Sequence, residues 1–142
     1  MKTILVVDDS DEQRFLLAKN AAYVAQEVLE AAGVRPAVEI LEREDVDLVV
    51  VDLKLGNDVT AGLALLKHAK LKDDAIQVII VTNFATPGIS RQAMEGGAFD
   101  FMDRNPSGVD FYPLLRGKME LAVHYRKLLL RDRARQPVEH AN

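Results

Sequence analysis

Three short apolar runs, Ile4–Val7, Leu48–Val51 and Val78–Val81, and a weaker one at Phe99–Met102 punctuate the chain. Runs this short, rich in β-branched residues and bounded by polar ones, predict parallel strands buried on both faces. Segments with helical recurrence separate them. Such alternation predicts βαβ units and an α/β domain on a parallel sheet. A further strand is expected at Glu27–Ala31, where apolar and acidic side chains alternate.

Boundary signals place the helices. Ser10 with Gln13 three residues on forms a capping box that starts a helix through Phe15, Leu16, Ala18 and Lys19. Gly33 turns the chain, and Pro36 suits the first position of a short helix carrying Val38, Ile40 and Leu41. Thr60 stands where it can cap a third helix, with Leu63, Leu66 and Ala69 facing inward. Thr86-Pro87 reads as a cap plus first-turn proline of a helix that runs out at Gly96-Gly97.

Pro106-Ser107-Gly108 is expected to break the chain before a long last helix with apolar positions at Phe111, Leu114, Leu115, Leu121, Ala122, Tyr125, Leu128 and Leu129. At ~1.5 Å per residue, a stripe of about five turns outruns a small sheet. The division expected is a compact domain over 1–125 and a helical extension over 126–142, frayed from Gln136 onward. The surplus apolar face suits either a homodimer through this helix or a return onto its own domain.

Composition narrows the function. The 142 residues suffice for one core, and the net charge of −4 gives no overall attraction to nucleic acid or anionic membrane. Zero cysteines exclude a disulfide framework, a thiolate metal site and a cysteine nucleophile, and fit a cytoplasmic protein. No apolar stretch approaches the ~18 residues of a membrane span, and the N-terminus lacks a secretory pattern. The basic run Arg126, Lys127, Arg131, Arg133 and Arg135 reads as a solvated helix end, without the aromatic interleaving of a nucleic-acid surface. His68, His124 and His140 lack zinc-like spacing.

The chemistry lies at the ends of the runs: Asp8-Asp9, Asp52, Thr82 and Arg104. In an open α/β sheet, ligands bind beyond the carboxyl ends of the strands. Neighbouring strands would therefore gather three carboxylates, a hydroxyl and a guanidinium at one edge, an address for a divalent cation and a phosphoryl group. Asp52 can attack a phosphoryl donor to form an acyl phosphate. Mg²⁺, a cation that takes oxygen ligands, would draw on Asp8, Asp9, Asp52 and the backbone carbonyl of Lys54. Thr82 and Arg104 would hold the remaining phosphoryl oxygens.

The segments Val7-Asp8-Asp9-Ser10, Asp47 to Leu53, Val81-Thr82 and Gly97 to Phe101, in that order, resemble the response-regulator receiver domains of two-component signalling. The resemblance implies a flavodoxin-like, doubly wound sheet of order 2-1-3-4-5 with helices on both faces. It also implies phosphoryl transfer to Asp52 from a histidine kinase or histidine phosphotransfer protein, with Mg²⁺ required, and a switch through Thr82 and the aromatic Phe101. The effect would pass to an unknown downstream protein, since a stand-alone receiver with no following output domain is expected.

Where the family usually has lysine then proline, this chain has Arg104-Asn105; Asn83 replaces a small residue after the threonine. Lys54 and Phe84 hold the family positions that tune dephosphorylation, and a bulky Phe84 implies slow loss of phosphate. Two other readings remain: a pseudo-receiver that binds partners without phosphorylation, and an aspartyl-phosphate phosphohydrolase. The latter lacks a second acid two residues past Asp52, where Lys54 stands.

Overall fold

Each apolar run forms a strand. The computed structural model describes residues 1–105 and 110–136. In chain order the elements are β1 (Thr3–Val7), α1 (Asp11–Ala21), β2 (Glu27–Ala31), α2 (Val34–Arg43), β3 (Leu48–Asp52), α3 (Ala61–Lys72), β4 (Gln77–Thr82), α4 (Pro87–Glu95), β5 (Asp100–Asp103) and α5 (Phe111–Arg135). The strands are all parallel, in the order β2-β1-β3-β4-β5. The expected break at Pro106-Ser107-Gly108 and the tail beyond Gln136 lie outside the described residues.

Strand periodicity divides the core into two layers. Leu5, Val7, Val49, Val51, Val78 and Ile80 pack with Ala37, Leu41, Leu65, Leu66 and Ala93 of α2, α3 and α4. Ile4, Val6, Leu48, Val50, Ile79 and Val81 face Leu17 and Ala21 of α1 and Leu115, Met119 and Ala122 of α5. Both faces of the central strands are covered, which is why their sequences are uninterrupted apolar runs.

Several boundaries differ from expectation. Pro36 is the third residue of α2, which starts at Val34 after Gly33; its missing N–H falls among the first-turn donors that have no helical partner, so the helix tolerates it there. Thr60 precedes α3 without a side-chain cap, because its Oγ1 donates to Asp58 Oδ1 at 3.3 Å instead. Ser10 does cap α1 through the Gln13 N–H, but the Gln13 side chain does not return the bond.

In α5 the buried row is Phe111, Leu115, Met119, Ala122, Val123 and Arg126, while Leu114, Leu121, Tyr125 and Leu128 point outward. The helix carries two apolar stripes, and the sheet covers one.

The cations at the end of α5 are not all solvated. Arg126 is buried against Asp45 (3.1 Å), Asp47 (3.3 Å) and Asp73 (3.4 Å). Arg133 pairs with Asp73 and Asp74 at 3.2 and 2.8 Å. These contacts fasten the far half of the helix to the loops that enter β3 and β4. Opposite this end, the carboxyl edge of the sheet carries the site.

Candidate functional site

Register sets the site. Val7 pairs with Val51, so the next residues, Asp8 and Asp52, leave neighbouring strands side by side. Thr82 pairs with Asp103 at the end of β4, and the Arg104 N–H donates to the Thr82 carbonyl at 2.8 Å. Asp8, Asp9, Asp52 and Arg104 all line one cavity of about 400 Å³. One oxygen from each of the three aspartates lies within 4.8 Å of the others.

Backbone amides aim the carboxylates. Ser10 N–H donates to Asp8 Oδ1 at 2.9 Å and Gly56 N–H to Asp9 Oδ2 at 2.8 Å. Lys54 N–H is 3.4 Å from Asp52 Oδ1. Gly56 reaches Asp9 from a turn with φ of 60°, a left-handed conformation that glycine adopts without strain. Asp9 Oδ1 and Asp52 Oδ2 accept no hydrogen bond among the described residues, while Asp8 Oδ2 accepts from Arg104 Nη2 at 2.6 Å. That pair is buried, with Asp8 only 1% exposed. The same nitrogen stands 3.8 Å from Asp52 Oδ2.

Charge crowding and burial act together at Asp52. Burial pushes its carboxyl up from 3.8 to about 6; Arg104 opposes this, Asp8 and Asp9 add to it, and the Lys54 N–H offsets part. An oxygen-only donor set of this charge suits a hard divalent cation. A Mg²⁺ shell of ~2.1 Å radius spans ~4.2 Å, so the three oxygens, within 4.8 Å of one another, fit the ion after closing by at most about half an ångström.

Lys54 is exposed and lines the cavity, as do Asn83 and Phe84. Thr82 is buried and does not line it; its Oγ1 accepts the Phe84 N–H at 3.1 Å. Phe101 is half-buried against the layer under α4. Gln13, which the sequence pattern marks only as part of a cap, reaches Arg104, 2.5 Å from Nη1. Its position one helical turn past the acid pair was the only local signal.

The profile of the response regulator receiver domain matches residues 4–107. The chain belongs to that family. Sporulation initiation phosphotransferase F of Bacillus subtilis is 34% identical over 96 residues, spanning 67% of this chain and 75% of that relative. The response regulator protein PilR of Pseudomonas aeruginosa is 30% identical over 100 residues, 70% of this chain. This receiver spans only 22% of PilR's length. Among solved structures, a CheY-like receiver domain protein from Methanospirillum hungatei has a TM-score of 0.72 at 26% identity, with 90% of this chain and 98% of that one covered. A receiver domain from Clostridium thermocellum gives a TM-score of 0.78 at 24% identity, covering 91% of this chain and 99% of that one.

The strand that ends in Asp52 depends on one close approach. At Gly62 a Cβ would sit 2.9 Å from Leu53 Cα and 3.0 Å from the Asp52 carbonyl oxygen, both backbone atoms. Gly62→Ala is therefore expected to destabilise the fold by about 1–3 kcal/mol, as overpacking does, and to shift the amide resonances of residues 52–54. Unchanged denaturation and spectra would show that the strand end has slack.

Proposed function

We propose that this receiver takes a phosphoryl group from the phosphohistidine of a histidine kinase or histidine phosphotransfer protein onto Asp52, and thereby switches a protein-binding face. The observation that carries this reading is the gathering of Asp8, Asp9 and Asp52 oxygens within 4.8 Å, with Arg104 beside them. Asp8, Asp9, Asp52 and the Lys54 carbonyl would hold Mg²⁺, which when bound offsets the charge of the incoming phosphoryl oxygens.

The protein's part in the transfer is positioning. A free Asp52 oxygen attacks phosphorus, the P–N bond breaks, and the imidazole leaves with the bonding pair and takes a proton. Arg104, already 3.8 Å from Asp52 Oδ2, is placed to pair with a phosphoryl oxygen. The Thr82 hydroxyl, now an acceptor for the Phe84 N–H, gains an acceptor of its own when Asp52 carries phosphate. A population shift follows if the phosphorylated form binds one arrangement of Thr82 and Phe101 better than the other.

The reaction is one turnover on the protein's own side chain, so the chain is a signalling module rather than an enzyme acting on free substrates. A phosphohistidine donor of this kind implies a cytoplasmic protein. Among the described residues no helix is long and apolar enough to cross a membrane.

Addition of beryllofluoride and Mg²⁺ tests the reading by NMR: shifts are expected at Asp52, Thr82 and Arg104 and along α4 and α5. An intact fold with no shift would mark a pseudo-receiver. Turnover of a free phosphomonoester would instead mark a phosphohydrolase.

Phe84 is 83% exposed at the rim of the cavity. There it can shield an acyl phosphate from water. Phe84→Ala is expected to speed loss of phosphate from Asp52 by about threefold to tenfold, the scale of an effect of roughly 1 kcal/mol. A decay rate equal to the parent's would remove Phe84 from this role.

A further inference from the structure

The cation at the sheet edge has a second anchor. Arg104 Nη2 donates to Asp8 Oδ2 at 2.6 Å, and Nη1 donates to Gln13 Oε1 at 2.5 Å. Gln13 lies in the first turn of α1, and the Tyr112 hydroxyl of α5 reaches the same Oε1 at 3.5 Å. The Arg104 Nε is buried with no partner.

A lysine ammonium is a compact charge with rotatable donors, and one acceptor holds it. A guanidinium is a planar fork, so once one nitrogen sits on Asp8 the partner of the other decides where the whole plane faces.

We infer that Gln13 is a positioning residue for Arg104: its carbonyl oxygen holds the fork on Asp8 and off Asp52. At 3.8 Å the nearest Arg104 nitrogen forms a loose ion pair with Asp52 Oδ2 but is beyond hydrogen-bond distance of it. The Asp52 oxygen thus stays free to attack, while the guanidinium waits beside the place where phosphoryl oxygens arrive. This inference rests on the phosphoryl-acceptor reading. Without the Gln13 acceptor, Nη1 loses its partner in this part-buried place, and the fork turns and samples Asp52. A direct charge-assisted hydrogen bond there, in place of the 3.8 Å ion pair, occupies the nucleophile.

Two measurements test this. In metal-free protein without a phosphoryl donor, ¹⁵N NMR of the Arg104 guanidinium is expected to show restricted rotation about Nε–Cζ in the parent and in Gln13→Glu, which keeps an acceptor oxygen. Gln13→Leu is expected to release it. The residue-13 backbone N–H still donates to Ser10 Oγ in that variant, so the helix start is retained.

In the second measurement, acetyl phosphate with Mg²⁺ is expected to phosphorylate Gln13→Leu about tenfold more slowly than the parent, the effect of one charge-assisted hydrogen bond. In an Arg104→Lys background the same substitution is expected to change the rate by less than about twofold, because no fork remains to orient. Equal slowing in both backgrounds, or guanidinium rotation indifferent to Gln13→Leu, would overturn the assignment. A parent that takes no phosphoryl group defeats the acceptor reading, and the ¹⁵N measurement still decides on Gln13.

Discussion

Asp52→Asn is expected to take no phosphoryl group and, without Mg²⁺, to be more stable than the parent at neutral pH. The first effect is chemical: an amide is not a competent nucleophile in this transfer, and it carries no charge for a cation. The second follows from electrostatics. Asp52 is 16% exposed and faces Asp8 and Asp9. Burial, more than the neighbouring acids, pushes its carboxyl up to about 6.

A carboxyl bound more tightly to its proton in the folded state favours folding at low pH, and that contribution is lost as pH rises from about 4 through about 6. Ionised Asp52 then opposes folding by up to roughly 3 kcal/mol, at about 1.4 kcal/mol for each tenfold gain in proton affinity. Asn removes this cost. The gain is expected at pH 7 and not at pH 4, and it is expected to narrow in millimolar Mg²⁺, which stabilises the parent in proportion to its occupancy. Denaturation curves at the two pH values, with chelator and with Mg²⁺, check the signs. An Asn variant less stable than the parent at pH 7 in chelator would contradict them.

Arg104→Met is expected to destabilise the metal-free protein by about 3–5 kcal/mol, the cost of leaving one partner of a buried ion pair alone. The partner is Asp8, 1% exposed, whose carboxylate accepts one other hydrogen bond among the described residues, from the Ser10 N–H. Methionine fills similar space without supplying charge. A divalent cation on Asp8 and Asp9 replaces the missing positive charge, so the deficit is expected to shrink with Mg²⁺. By the same competition for Asp8 Oδ2, the variant is expected to bind Mg²⁺ more tightly than the parent. Urea denaturation with and without Mg²⁺ measures both effects; a deficit the same in either condition would place the pair outside the metal's influence.

The strands and the acidic edge were legible because both obey short-range rules. A strand buried on two faces must be an apolar run, and a polar residue at its end must emerge at the sheet edge. With Val7 opposite Val51, that logic alone sets Asp8 beside Asp52.

The helices were less legible. Leu17 rather than Phe15 faces the sheet from α1, and Met119 rather than Leu121 from α5. Each helix offers more apolar residues than its buried face needs, and recurrence does not say which stripe the sheet covers. Arg126 and Gln13 were hidden for another reason. Arg126 is buried because Asp45, Asp47 and Asp73 arrive from separate loops, and Gln13 finds Arg104 across 91 positions of sequence. Local pattern reads a cation at a helix end as solvated and a glutamine after a cap as part of the cap. Only the tertiary fold supplies the other partner.

Acceptance of phosphate by Asp52, with the help of a cation held by its acidic neighbours, is the step on which the proposed switch depends. Intact mass after incubation with acetyl phosphate, followed by borohydride trapping and peptide mapping, tests it most directly. One phosphoryl group on Asp52, present with Mg²⁺ and absent with chelator, is the expected result; unmodified protein, or modification elsewhere that ignores Mg²⁺, would contradict it.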